Sequence, residues 1–158
     1  TGCTVNSVGE TFDDSRNESL AKKRVREANA ELAKANINVT SFDGIVLLTG
    51  QVSSADLIPI ASAQVAPLRN VRKVHNELTV AGKTSYLSRT NDSWLTTKVK
   101  SAMAAAESAD SNRIKVVTEN GVVYLMGLVT REEADAAADI ARHIQGVQKI
   151  VKVFEYMN

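Results

Sequence analysis

Residues 37–52 read INVTSFDGIVLLTGQV, and residues 114–129 read IKVVTENGVVYLMGLV. The two stretches align without a gap, 77 residues apart. Gly44 falls on Gly121, Gly50 on Gly127, and the apolar alternation stays in step. Asp43-Gly44 and Asn120-Gly121 each stand between runs of alternating apolar residues. Such dipeptides are strong signals for a tight hairpin, because both central residues must take positive φ. Each stretch is therefore expected to be two antiparallel strands, 37–42 with 45–52 and 114–118 with 122–129.

The flanks repeat as well. From Glu18 to Lys34 apolar residues recur at helical spacing, through Ala21, Val25, Ala28 and Leu32. A second helix is expected from Ser53, Ser54 or Asp56 to about Ala66, with Pro59 in its early turns and Pro67 helping to end it. A third strand follows over Val71–Val80. The second copy repeats the order: a helix capped by Asn91 or Asp92 running to about Glu107, the strand pair, a helix from Arg131 to Ile144 stopped near Gly146, and a strand over Val147–Met157.

The expected fold is α+β, two tandem αββαβ units. Each is a three-stranded mixed sheet packed against two helices on one face. The boundaries read as a polar N-terminal tether over 1–17, a first domain over 18–81, a linker over 82–90 and a second domain over 91–158. Domains this small bury only about 60% of their chain surface, so packing against another body is expected.

Composition narrows the function. The net charge is +1, 44% of residues are hydrophobic and 4% aromatic. Near-neutral charge and few aromatic residues disfavour nucleic acid as a partner. No apolar run is long enough to span a bilayer as a helix. His75 and His143 have no ligand at metal-binding spacing, so no metal is expected. The glycines stand singly at turns rather than in a phosphate loop. No catalytic grouping is duplicated, no cofactor is implied, and the chain reads as a binding module rather than an enzyme. Cys3 is the only cysteine. Thr1-Gly2-Cys3 resembles the end of a bacterial lipobox, in which the cysteine carries the lipid, and Thr4 after it favours the outer membrane.

This arrangement resembles the BON domain, about 60 residues in the order αββαβ, with glycines where Gly44 and Gly50, then Gly121 and Gly127, stand. Two such domains behind a lipobox-like cysteine resemble the dual-BON outer-membrane lipoproteins of Gram-negative bacteria, the DolP group. Asn91–Lys100 and Val117–Thr130 look most like that group's second domain. The resemblance implies a non-enzymatic lipoprotein on the periplasmic face of the outer membrane. It also implies binding of anionic phospholipid, chiefly phosphatidylglycerol, through the first helix of the second domain, and support of membrane integrity at the division site. The residues expected to meet lipid are Trp94, Thr97, Lys98, Lys100, Ser101 and Met103, with Cys3 lipidated.

The helix itself offers a physical basis. If Leu95, Val99, Ala102 and Ala106 form its core stripe, Trp94 is turned roughly 110° from the stripe centre, with Lys98 one turn on. Matched against Ala21, Val25, Ala28 and Leu32, that stripe puts Leu20 where Trp94 stands. On the second sheet, the face away from the helices carries Val122, Tyr124, Met126, Leu128, Val151 and Val153. That is too much apolar surface to leave wet. The first domain or an envelope partner protein is expected to cover it, and the alternative function is a scaffold that binds a partner there.

Overall fold

A computed structural model of the protein describes residues 8–81, 86–106 and 113–157, with side chains of the two long helices described from Asp14 and Thr90 onward. The described chain runs α1 Val8–Ala28, α2 Ala30–Lys34, β1 Asn36–Phe42, β2 Ile45–Val52, α3 Leu57–Val65, β3 Lys73–Asn76 and β4 Thr79–Val80. It continues with α4 Tyr86–Ala105, β5 Lys115–Glu119, β6 Val122–Val129, α5 Arg131–Arg142 and β7 Lys149–Tyr156. It divides into two compact units, whose described residues are 8–81 in one and 86–106 with 113–157 in the other.

In the first unit β1 pairs antiparallel with β2, while β3 and β4 pair parallel with the other side of β2. In the second, β5 and β6 are antiparallel and β7 runs parallel to β6. Both sheets are mixed, as the repeat predicts. One core joins Ala21, Val25 and Leu32 to Val46, Leu48 and Val52 and to Leu57, Ala61 and Val65. The other joins Val99 and Met103 to Val123, Leu125 and Val129 and to Ala134, Ala137 and Ala141. In each core the helices draw on the same set of alternate β2 or β6 residues, so they lie on one face of the sheet.

The turns form for the reason the sequence gives. Asp43 and Gly44 have φ of 54° and 79°, and Asn120 and Gly121 have 54° and 80°. These are the paired positive values of a type I′ hairpin turn. Gly50 and Gly127 answer to a different constraint. A Cβ on Gly50 would stand 1.9 Å from the Asn36 carbonyl oxygen, and one on Gly127 would stand 2.1 Å from that of Arg113. The start of the first strand of each hairpin crosses there too closely for any side chain.

Several boundaries depart from the sequence reading. The tether expected over 1–17 gives way at Val8, where α1 begins, and Asp14 and Asn17 are buried. The helix expected over 18–34 breaks at Asn29, whose side chain caps α2 by accepting from the Glu31 N–H at 2.7 Å. Ala28, expected in the core stripe, is exposed beside that break. The linker expected over 82–90 is shortened because α4 begins at Tyr86. The continuous strand expected over 71–80 is two pieces. The Asn76 side chain accepts from Leu78 N–H and donates to the Ile58 carbonyl, interrupting the strand between them.

Candidate functional site

The first helix of the second unit is positioned by a residue expected to do something else. Asp92 does not cap α4, which starts six residues earlier; it lies inside the helix and turns toward the sheet. Its carboxylate accepts from Asn120 N–H at 2.7 Å and Gly121 N–H at 2.8 Å, and the residue is 6% exposed. The turn N–H groups point away from the hairpin and have no strand partner, so the carboxylate supplies one. Asp14 does the same in the first unit, accepting from Asp43 N–H, Gly44 N–H and the Ser41 hydroxyl. Each first helix is thus pinned to its own hairpin.

Counting from these two carboxylates corrects the match between copies. Asp14 corresponds to Asp92, so Asn17, Ala21 and Val25 correspond to Leu95, Val99 and Met103, and all six are buried. The alignment by core stripe was one turn out of step. The counterpart of Trp94 is Arg16, not Leu20, and Leu20 packs at the edge of the first core.

The buried side of α4 is Asp92, Leu95, Val99 and Met103. At about 100° per residue, Trp94 lies roughly 145° from its centre, nearly opposite the core. Trp94 is 59% exposed, and Lys98 Nζ sits 5.1 Å from its ring centroid, within cation–π range. Thr97 and Ser101 are exposed on the same side, and the Thr97 hydroxyl donates to the Ser93 carbonyl one turn back. Thr96 anchors the flank through its hydroxyl, 2.7 Å from that of Thr118. Lys100 is exposed on another flank. Among the described residues of α4, Asp92 is the only acid and is engaged in the turn, so the exposed side carries positive charge alone.

Of the six residues expected to meet lipid, five are exposed: Trp94, Thr97, Lys98, Lys100 and Ser101. Met103 is not. It has no exposed surface and belongs to the second core, because it follows Leu95 and Val99 at four-residue intervals. Ala102 and Ala106, expected in the stripe, are only half-buried.

Tyr124, Met126 and Val153 are 5%, 0% and 1% exposed, and Val122, Leu128 and Val151 are half-buried. The centre of this face is therefore buried and its margin half-buried. In the first unit Ile45, Leu47, Thr49 and Gln51 are buried on the corresponding face.

His75 is half-buried on β3. Desolvation lowers its pKa, Lys73 lowers it further, and Glu77 works the other way. His143 closes α5 with its ring against the Asp139 carbonyl. Among the described residues no His, Cys, Asp and Glu side chains group to hold a metal, and no helix is long and apolar enough to cross a membrane. Cys3 lies outside the described residues. The carboxylate pins were the main omission of the sequence reading. Their signal was present in the spacing, since Asp14 precedes Gly44 by 30 residues and Asp92 precedes Gly121 by 29.

The BON domain model matches residues 13–82 and again 91–158. Outer membrane lipoprotein DolP of Haemophilus influenzae is 41% identical over 152 residues, covering 96% of this chain and 79% of that protein. The 21 kDa hemolysin of Actinobacillus pleuropneumoniae is 35% identical over 152 residues, covering 96% and 78%. Osmotically-inducible protein Y of Escherichia coli is 27% identical over 150 residues, covering 93% and 74%.

Proposed function

Because the chain belongs to the BON-domain family, with two tandem copies of the domain, we propose that it is an outer-membrane lipoprotein that binds anionic phospholipid through the exposed side of α4. The lipid on Cys3 holds it at the periplasmic face, and α4 supplies a second, weaker contact with phosphatidylglycerol headgroups. The protein is a binding module without catalysis. Through that contact it supports membrane integrity, acting at the division site.

The observation that carries the reading is Trp94 with Lys98 over its ring, on the side of α4 opposite the core. An indole is at home in the headgroup zone, where its apolar body and N–H meet different surroundings. A lysine near an anionic surface adds about 1 kcal/mol of attraction. Thr97 and Ser101 put hydroxyls beside them. With Met103 sealed in the core, insertion is shallow and rests on the tryptophan alone. A shallow contact suits a module held by one lipid chain, since one acyl chain gives only marginal, reversible anchoring.

Amide shift mapping with phosphatidylglycerol and phosphatidylcholine micelles tests the site. The expected perturbations lie on Trp94, Thr97, Lys98 and Ser101 and appear with the anionic lipid only. Trp94→Glu is expected to abolish them with the fold intact, since this side chain supports no core. Unchanged binding by a folded Trp94→Glu protein rejects the site. A fluorescent fusion that spreads evenly along dividing cells rejects the division-site role, and Cys3→Ser retained at the outer membrane rejects the anchor.

A further inference from the structure

The two units end differently. In the first, the edge strand is broken into β3, of 4 residues, and β4, of 2. Short, interrupted edges are a common protection against unwanted strand pairing. In the second, β7 is one uninterrupted strand of 8 residues, paired to β6 along its whole length. Among the described residues no strand pairs with its other edge. That strand carries Ile150, Val151, Val153, Phe154 and Tyr156 between the charged Lys149, Lys152 and Glu155, and a long strand edge left unpaired is a template for another whose charges match it.

The strand's surroundings are shaped to receive one. A cavity of about 380 Å³ runs between α5 and β7. Ala138, Val147 and Ile150 line it together with the exposed cations Arg142, Lys149 and Lys152. Arg142 and Lys152 face carboxylates of α5, at 3.4 Å from Asp139 and 3.1 Å from Asp135. Lys149 makes no ion pair among the described residues.

We propose that β7 is the seam of a two-fold dimer, pairing antiparallel with β7 of a second copy of this chain. The strand's own sequence selects this occupant, because it is complementary to its reverse. With Lys152 on the two-fold axis, Lys149 faces Glu155 of the second copy, Ile150 faces Phe154 and Val151 faces Val153. The symmetry makes every such pair twice, as an isologous interface requires. Opposite charges and paired apolar side chains at directly opposed positions are the stabilising units of an antiparallel ladder. The faces agree as well. Ile150 pairs with Val123 and Lys152 with Leu125, both core residues, so Ile150, Lys152 and Phe154 share the helix-covered face. Phe154 of the second copy then lies next to Ile150 at the cavity, and its Glu155 next to Lys149. The one like-charged encounter, Lys152 with Lys152, is relieved by Asp135 on each side. Shifting the register by one residue sets Glu155 against Ile150 and loses the charge match.

Sedimentation of the full chain in solution over micromolar to millimolar concentration tests the seam, together with amide shifts on dilution. The expected result is a concentration-dependent dimer, with shift changes confined to β7 and its flanking α5. Lys149→Glu and Glu155→Lys each set like charges opposite each other twice and are expected to weaken dimerisation about tenfold or more. Mixed in equal amounts, the two variants restore both pairs, and a heterodimer as tight as the wild-type dimer is expected. A chain that stays monomeric throughout overturns the proposal, as does a dimer whose shift changes lie elsewhere or a mixture no tighter than either variant alone. Capture of an acidic extended peptide by β7 in a chain that does not self-associate also overturns it, by assigning the edge to a partner protein.

Discussion

Removing the Asp92 carboxylate should loosen the second unit at the point where α4 meets its hairpin. Two backbone donors depend on that group, Asn120 N–H at 2.7 Å and Gly121 N–H at 2.8 Å. A hydrogen bond to a charged group contributes about 1.5–3 kcal/mol. Asn120 is exposed and Gly121 is buried, so water replaces the first partner more readily than the second. Asp92→Ala is therefore expected to cost about 2–4 kcal/mol. Asp92→Asn should recover little of that, because its amide keeps one acceptor and turns a donor toward the other N–H. The assay is urea unfolding, followed by amide exchange in β5, β6 and α4 and by fluorescence of Trp94. As the only tryptophan, Trp94 reports the second unit alone. Exchange of Gly121 should rise first. Asp14→Ala is the internal control and should destabilise the first unit at least as much, since Ser41, Asp43 and Gly44 all donate to it. A loss below about 0.5 kcal/mol for Asp92→Ala, the level of an ordinary surface change, refutes the assigned role.

Met103→Ala should cost about 2–5 kcal/mol, as for other large-to-small changes in a packed core. The protein that remains folded should bind phosphatidylglycerol as tightly as wild type; an affinity loss in folded protein returns Met103 to the lipid site. His75 gives a pH dependence. Its pKa is lowered in the folded state, so its contribution is fully present above the ordinary value of 6.5 and is lost as pH falls through the folded value. Wild type should therefore lose stability relative to His75→Gln on going from neutral pH into the acid range, measured by urea unfolding. A difference that does not change with pH contradicts the assignment.

What the sequence made legible is what period and turn chemistry encode. The hairpins were readable because Asp-Gly and Asn-Gly demand one turn type, and the strand faces because alternation has one meaning. Helix boundaries were less readable. Residues 8–17 are polar in composition, yet α1 starts there because Asp14 has a hairpin to hold, and that is a contact across thirty positions. The same long-range contact hid the true pairing of the copies. A stripe of Ala21, Val25 and Leu32 repeats every turn or so and can be slid by one turn without losing its apolar character. Asp14 and Asp92 cannot be slid, since each has one turn to bind. Asn17 compounded the error, being polar where Leu95 stands in the second copy; it is buried with its Nδ2 unpartnered. Met103 was misplaced for the same reason. Spacing from Leu95 puts it in the core, and its flexible apolar side chain suits a membrane equally well on paper.

The corrected pairing also changes what the duplication says about function. With Leu20 as its counterpart, Trp94 was an apolar residue exchanged for a larger one, and a role at the edge of its own core remained reasonable. With Arg16 as its counterpart, the position is solvent-facing in both copies. One copy fills it with a charge and the other with the chain's single tryptophan. Nothing in the folding of the domain requires an indole there, since the first unit makes the same helix, the same carboxylate pin and the same hairpin without one. The argument extends to β7. The first unit folds with its edge strand cut in two, so an unbroken edge strand is not a requirement of the domain either. Both differences lie outside the features that the two units share, and they are the two that the proposed lipid contact and the proposed dimer seam use.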